Sequence, residues 1–279
     1  MIKLVLSDLD HTLLWSGDQH IITPYALEAI HTAQDAGVHF APATGRIYRD
    51  LDRMMAGDVR AYSTAVVSNG QLVYLDGQLV DSTPLAHEAL EGLKETLASI
   101  PDAYLVVEYN GEKVAIDVDL DYVLAHKDNF WKVEQAFEEI PVQPCFKSNI
   151  RVVGSWERAL EVRDFVAEKN PAVDLTCPMP GVGHIDVTPA GMGKERGAEY
   201  LMRHLGLTPD EVVCFGDAEN DLSLLRHFPN SVAVANAMPA VLAATRWHIG
   251  PADEESVANC LLDIAQATSC GRMPSFMCE

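Results

Sequence analysis

Two aspartates two residues apart, Asp8 and Asp10, close the apolar run Leu4-Val5-Leu6, and this arrangement constrains the fold more than any other stretch of the chain. The run shows no alternation of polar and apolar residues. It therefore reads as a strand covered on both faces, as in a parallel sheet between helical layers. In open sheets of that kind, ligands bind in a crevice at the carboxyl ends of the strands, where Asp8 falls. Residues two apart on an extended chain point the same way, so both carboxylates face one crevice. Carboxylates that close repel each other unless a cation or a shared proton relieves them. Magnesium meets that need, because it is a hard ion that accepts one or two carboxylates and keeps its remaining positions for water and phosphate oxygens. On this stretch alone, the plainer reading that Asp8 and Asp10 begin a turn stays open.

The residues beyond Asp10 support an α/β pattern. Thr23-Pro24 supplies an N-cap and a proline at the first helical position, and Leu27, Ile30 and Ala33 recur at helical spacing up to Gly37. Residues 38–43 read as the next strand, whose end delivers Thr44-Gly45-Arg46. If that strand neighbours the first, the Thr44 hydroxyl and nearby backbone N–H groups enter the same crevice and suit phosphate oxygens. A Thr-Gly turn is common, and alone it signifies little. A helix over 46–55 and a strand over 65–68, ending in a turn at Asn69-Gly70, complete the first part.

From about residue 83 to residue 184 the pattern changes. A helical stretch, 86–100, precedes strand-like runs at 104–108 and 113–118 joined through Asn110-Gly111, a strong hairpin signal. A strand at 150–153, an amphipathic helix at 156–169 and a strand at 173–176 come next. Hairpins beside helices indicate a separate α+β unit inserted into the first domain. Trp131 and Trp156 read as packing residues. Arg151 suits either a second anionic group on a ligand or a surface ion pair, and His184 stands at the returning hinge.

Alternation of strand and helix is expected to resume at 183–188. It leads through Gly191-Met192-Gly193 to Lys194, at the start of a helix over 195–205. A lysine there opposes the helix macrodipole, so an anionic partner is expected, against the alternative of a solvated lysine. A second apolar strand, 212–215, then runs into Gly216-Asp217-Ala218-Glu219-Asn220-Asp221, with the glycine read as permitting a tight turn. A further buried strand at 231–235 and a packing helix at 255–267 complete the chain.

Composition excludes some classes of partner. The net charge of −21 argues against a nucleic-acid backbone or an anionic membrane as principal partner, so a small anionic ligand would depend on a few well-placed cations. Six scattered cysteines with no CxxC pair, and no signal sequence before the first strand, suit a reduced cytoplasmic setting. Oligomeric state is not encoded in any pattern found.

Taken in order, these signals resemble the haloacid dehalogenase-like phosphatase superfamily, more closely its Cof-type branch, which carries a large cap between the second and third motifs. The resemblance implies a doubly wound, parallel-sheet, Rossmann-like core formed by 1–82 and 185–279, with an α+β cap over 83–184. It also implies a Mg2+-dependent hydrolase of small phosphomonoesters, such as sugar, polyol or coenzyme phosphates. Asp8 would be the nucleophile that forms an aspartyl-phosphate, and Asp10 the general acid and base. Magnesium would be held by the Asp8 and Asp217 side chains and the Asp10 backbone carbonyl. Thr44, Lys194, Asn220 and the N–H groups of Leu9 and Gly45 would surround the phosphoryl oxygens, with Asp221 supporting Lys194 or the metal. Two alternatives remain: a phosphomutase using the same aspartate, and a non-catalytic phosphometabolite sensor. The chain departs from the family pattern at His11, where glycine is usual, and at Glu254-Glu255-Ser256-Val257, where Asp-Gly-Val is frequent.

Overall fold

The computed structural model describes residues 1–15, 20–126, 133–178 and 181–278; Trp131 lies outside the described residues. The chain divides into two compact units, 1–82 with 193–279, and 83–192. Among the described residues no helix is long and apolar enough to cross a membrane.

The first unit begins with β1 (Leu4–Ser7), α1 (Pro24–Asp35), β2 (His39–Pro42), α2 (Tyr48–Met54) and β3 (Ala65–Val67). Every residue of β1 is buried, as its unbroken apolar run requires. Thr23 caps α1 by accepting the Ala26 N–H at 3.1 Å, and Ala26, Ala29, Ile30 and Ala33 form the buried face. Next come β4 (Leu72–Leu75) and β5 (Gln78–Ser82), a hairpin that pairs antiparallel with β3. The sequence pattern does not single out this hairpin, although Asp76-Gly77, at φ +50° and +78°, is a turn signal.

The second unit carries α3 (His87–Leu97), β6 (Ala103–Tyr109), β7 (Glu112–Ile116), α4 (Leu120–Ala125), β8 (Gln135–Phe137), β9 (Ser148–Val152), α5 (Trp156–Lys169), β10 (Val173–Thr176) and β11 (His184–Pro189). Its six strands run in the order β10-β11-β9-β6-β7-β8. Leu105, Val107, Ile150, Val152, Ile185 and Val187 bury one sheet face, together with Leu90, Leu93, Val162 and Val166 from α3 and α5. Trp156 packs against the same cluster.

One expectation is corrected by the strand pairing. β11 does not return the chain to the parallel core; it pairs antiparallel with β9 and β10 inside the second unit. The reason is visible in the residues: Ile185 and Val187 alternate with His184, Asp186 and Thr188, the period of a strand with one polar face.

The first unit resumes with α6 (Lys194–His204), β12 (Val212–Gly216), α7 (Leu222–His227), β13 (Asn230–Val234), α8 (Pro239–Ala244), β14 (Trp247–Ile249) and α9 (Ser256–Cys270). Its five-stranded sheet is parallel, in the order β14-β13-β12-β1-β2. One group of helices joins α1 to α9; another runs from α6 through α7 to α8. β1 thus lies between β2 and β12, and the chain leaves it toward opposite sides. That reversal opens a crevice at the carboxyl ends. The Asp8 N–H donates to the Phe215 carbonyl at 3.0 Å and the Ala43 N–H to the Ser7 carbonyl at 2.8 Å. Asp8, Thr44 and Asp217 are thereby brought to one edge.

Candidate active site

Lys194 organises the site. It is fully buried, and its Nζ donates to Asp8 Oδ1 and to Asp221 Oδ1, both at 2.6 Å. The anionic partner expected for a lysine at a helix start is therefore a pair of aspartates. Burial opposes its charge, but Asp221 and then Asp8 outweigh that penalty and hold the proton on Lys194 above the ordinary lysine range.

Its position depends on close backbone packing. A Cβ on Gly70 would stand 2.1 Å from the Gly193 carbonyl oxygen and 3.3 Å from Lys194 Cα, so only glycine lets α6 begin there. Gly216 acts through space as well. A Cβ there would lie 2.6 Å from Asp221 Cγ, and its φ is not positive, so the glycine makes room for a carboxylate instead of bending the turn. Asp221 Oδ2 accepts the N–H groups of Asp217 and Ala218, each at 3.0 Å. With its other oxygen on Lys194, Asp221 is fully engaged.

Asp8 and Asp217 are different. Thr12 Oγ1 donates to Asp217 Oδ1 at 2.8 Å, yet the second oxygens of both carboxylates accept no hydrogen bond among the described residues. Ligand atoms of Asp8, Asp217 and Asp221 all lie within 4.8 Å of one another. Burial, with added repulsion from Asp221 and Asp10, pushes Asp8 up to about 7 against the pull of Lys194. Burial, then Asp8 and Asp221, raises Asp217 well above the usual carboxylate range. Hard oxygen donors, crowded beyond what one lysine neutralises, fit a divalent cation such as Mg2+.

Asp10 points to other partners. Arg46 holds it with Nε on Oδ2 and Nη2 on Oδ1, both at 2.9 Å, and His20 Nδ1 lies 2.8 Å from Oδ1. Burial would raise Asp10, but the His20 hydrogen bond and the Arg46 charge hold it well below the ordinary carboxylate range. The Asp10 backbone carbonyl accepts no hydrogen bond among the described residues.

Thr44 is buried; its Oγ1 accepts the Arg46 N–H at 3.2 Å and its carbonyl accepts the Asn69 N–H at 3.0 Å. Asn220 Nδ2 donates to Asn69 Oδ1 at 3.1 Å, so Asn69 ties the loop after β2 to the loop after β12. Leu9 is buried, with its carbonyl taken by the Leu14 N–H at 2.7 Å, and Gly45 lies between Thr44 and Arg46. Arg46, His20, Thr12 and Asn69 have no site role that the sequence alone assigns. The run of left-handed residues Ser68, Asn69 and Gly70 (φ +52°, +53° and +94°) is legible there only as the Asn-Gly turn. Arg46 is visible as part of a motif, without a partner. In the second unit Arg151 Nη1 donates to the Gly183 carbonyl at 2.9 Å, and His184 Nε2 lies 3.2 Å from the buried Asp186.

The sequence pattern of haloacid dehalogenase-like hydrolases matches residues 5–261, nearly the whole length. The chain belongs to that family. Among haloacid dehalogenase-like relatives, the 5-amino-6-(5-phospho-D-ribitylamino)uracil phosphatase of Escherichia coli K12 is 27% identical, covering 92% of this chain and 93% of its own. The HMP-PP phosphatase of Serratia proteamaculans is 28% identical over 94% of both chains. In fold, a protein from Streptococcus mutans UA159 superposes with a TM-score of 0.80 at 21% identity, over 94% of this chain and 98% of its own. A sugar phosphatase of HAD subclass IIB gives 0.77 at 21% identity, over 96% and 99%. Family and relatives together mark this haloacid dehalogenase-like chain as an enzyme, a phosphatase.

Proposed function

We propose that the chain hydrolyses small phosphomonoesters with the help of Mg2+, through a phosphoryl group carried on Asp8. The observation that carries this reading is the Lys194 bridge between Asp8 and Asp221, set beside the donor-free oxygens of Asp8 and Asp217. Named relatives support the substrate class, since they act on a phosphoribityl uracil and on HMP-PP.

Asp8, Asp217 and the Asp10 carbonyl would hold the ion. When bound, magnesium supplies positive charge that offsets the repulsion between a phosphate dianion and an attacking carboxylate. The remaining work belongs to the chain. Lys194 fixes the Asp8 carboxylate in place, so that one of its oxygens attacks phosphorus and expels the leaving oxygen. Asp221 keeps Lys194 charged and in place. Thr44, Asn220 and the N–H groups of Leu9 and Gly45 receive phosphoryl oxygens from preset positions. Asp10, a carboxylate on Arg46 and His20 in this structure, is in the form that takes a proton from the hydrolytic water. To deliver a proton to the leaving alcohol in the first half-reaction, it must first take one up from solvent, which requires those bonds to loosen as substrate arrives.

Phosphate release from a panel of phosphorylated sugars, polyols, nucleotides and coenzymes, with magnesium and with chelator, tests the reading. Release that requires both the metal and Asp8 is the expected result. Retained turnover in Asp8→Asn would sink the covalent route, and isomeric phosphate esters in place of inorganic phosphate would indicate a mutase.

A further inference from the structure

Three consecutive residues after β3 hold left-handed backbone: Ser68 at φ +52°, Asn69 at +53° and Gly70 at +94°. Glycine is at ease there and asparagine tolerates it, but serine is strained. Burial adds to the strain, because Ser68 is 1% exposed and its Oγ finds no hydrogen-bond partner among the described residues. A turn kept against such a cost is held by its surroundings, and turns of this kind gather at functional sites.

Those surroundings are the loops of the site. β3 runs parallel to the end of β2 through an Ala43–Val66 bridge, and the Thr44 N–H donates to the Val66 carbonyl at 2.9 Å. The turn therefore emerges at the same sheet edge as Thr44. There the Ser68 N–H donates to the Arg46 carbonyl at 2.9 Å and the Asn69 N–H to the Thr44 carbonyl at 3.0 Å. Gly70 packs against Gly193, where Lys194 begins its helix. All of these are backbone contacts. Asn69 adds a side-chain bond, its Oδ1 accepting from Asn220 Nδ2 at 3.1 Å. An amide nitrogen carries two hydrogens, and the Asn220 side chain makes no other hydrogen bond among the described residues. Turned the other way round, the Asn220 carbonyl would meet a second acceptor, so the bond fixes which end of the amide faces the turn.

We propose that Asn69 is a positioning residue for phosphoryl transfer: by accepting from Asn220, it sets that amide so that the second Nδ2 hydrogen is presented to a phosphoryl oxygen. Glycine at this position would suit the backbone and leave the amide free to rotate. Aspartate would accept the bond but set a negative charge beside an incoming dianion. Asparagine meets both demands, a left-handed φ and a neutral acceptor. A preset donor needs no reorganisation as charge builds on the phosphoryl group, so its loss falls on kcat more than on KM. The inference rests on the hydrolase reading, which counts Asn220 among the phosphoryl contacts, and adds a residue outside the motifs that carry the family resemblance.

The test is a double-mutant cycle of wild type, Asn69→Gly, Asn220→Ala and the double variant. With magnesium present, kcat and KM for p-nitrophenyl phosphate are measured, and calorimetry gives the Kd for inorganic phosphate. Glycine is at ease at φ +53° and Asn220 is half-buried, so the variants fold. Asn69→Gly is expected to lower kcat/KM about fivefold or more, chiefly through kcat. In the Asn220→Ala background it should cost less than about twofold further, because the two residues act as a unit. Magnesium affinity should stay within about twofold in Asn69→Gly, whereas a turn that merely shores up the fold would loosen the metal as well. Asn69→Gly within about twofold of wild type, losses that multiply in the double variant, or a matching fall in magnesium affinity overturns the positioning role. If the wild type binds phosphate but releases none from the ester, the hydrolase reading is what fails, and the same cycle on the phosphate Kd decides Asn69. A wild type that neither releases nor binds phosphate overturns both.

Discussion

Each unit of the molecule sets a lysine against a buried aspartate at 2.6 Å, and the two pairs behave oppositely. In the second unit Asp186 accepts from Lys147 at 2.6 Å and also from Asn149, with His184 3.2 Å away. Lys147 and Asn149 both donate to that one carboxylate. Burial would raise Asp186, but Lys147 and His184 hold it well below the usual carboxylate range. In the first unit three clustered carboxylates have one lysine, which donates to Asp8 and Asp221, and Asp8 and Asp217 are raised. The difference separates structure from poise. A cluster with its charges matched stabilises a sheet face, whereas one with surplus negative charge stores a demand that a cation relieves.

The strongest way to break this comparison is chemical. Asp8→Asn should cut phosphate release at least ~10³-fold, measured by a phosphate assay with magnesium present, while its fold persists because it removes charge from an overloaded cluster. Next in size, Lys194→Met leaves buried carboxylates without their cation and should cost about 3–5 kcal/mol in urea unfolding. Magnesium at a hundredfold excess over its Kd should raise the stability of the wild type by about 2.7 kcal/mol, and by less in Asp217→Asn.

The same contrast has a pH signature. Asp8 and Asp217 are raised on folding, so in chelator the fold favours their protonated forms. Their contribution to stability falls as pH climbs above the ordinary carboxylate range, for Asp8 toward about 7, and a thermal melt series should show it, with magnesium flattening the slope. Asp186 has the opposite sign: its contribution is present above the ordinary carboxylate pKa and is lost only on acidification below about 4. The smaller effect belongs to the second unit. Lys147→Met leaves Asp186 with Asn149 and His184 still placed to hydrogen-bond it, so the loss should be about 1–3 kcal/mol, below that of Lys194→Met.

Much of this is legible in the chain because strands that end in carboxylates carry both signals in adjacent residues. Leu4-Val5-Leu6 before Asp8 and Val212-Val213-Cys214-Phe215 before Asp217 announce a buried parallel strand and its acidic end together. The helix Trp156–Lys169 and the Asn110-Gly111 hairpin are equally local. Less legible is anything decided across distance. Nothing in the sequence says that Arg46 pairs with Asp10, because that pairing depends on how β2 and β1 align. β11 reads as part of the wrong unit, since its run of six residues resembles a core strand until its partners are known. His11, where the family usually has glycine, has a left-handed φ of +60°.

The contact between Gly70 and Gly193 has a consequence for how such chains diversify. Gly193 is where the chain re-enters the first unit, and its carbonyl is registered against a loop of that unit. Tyr200 adds a second fastening by donating to the Val80 carbonyl at 2.9 Å, near the point of exit. Neither fastening uses any residue from 83 to 192. A lineage can therefore trade, lengthen or rewrite that stretch while the two fastenings that set where Lys194 begins its helix stay in place.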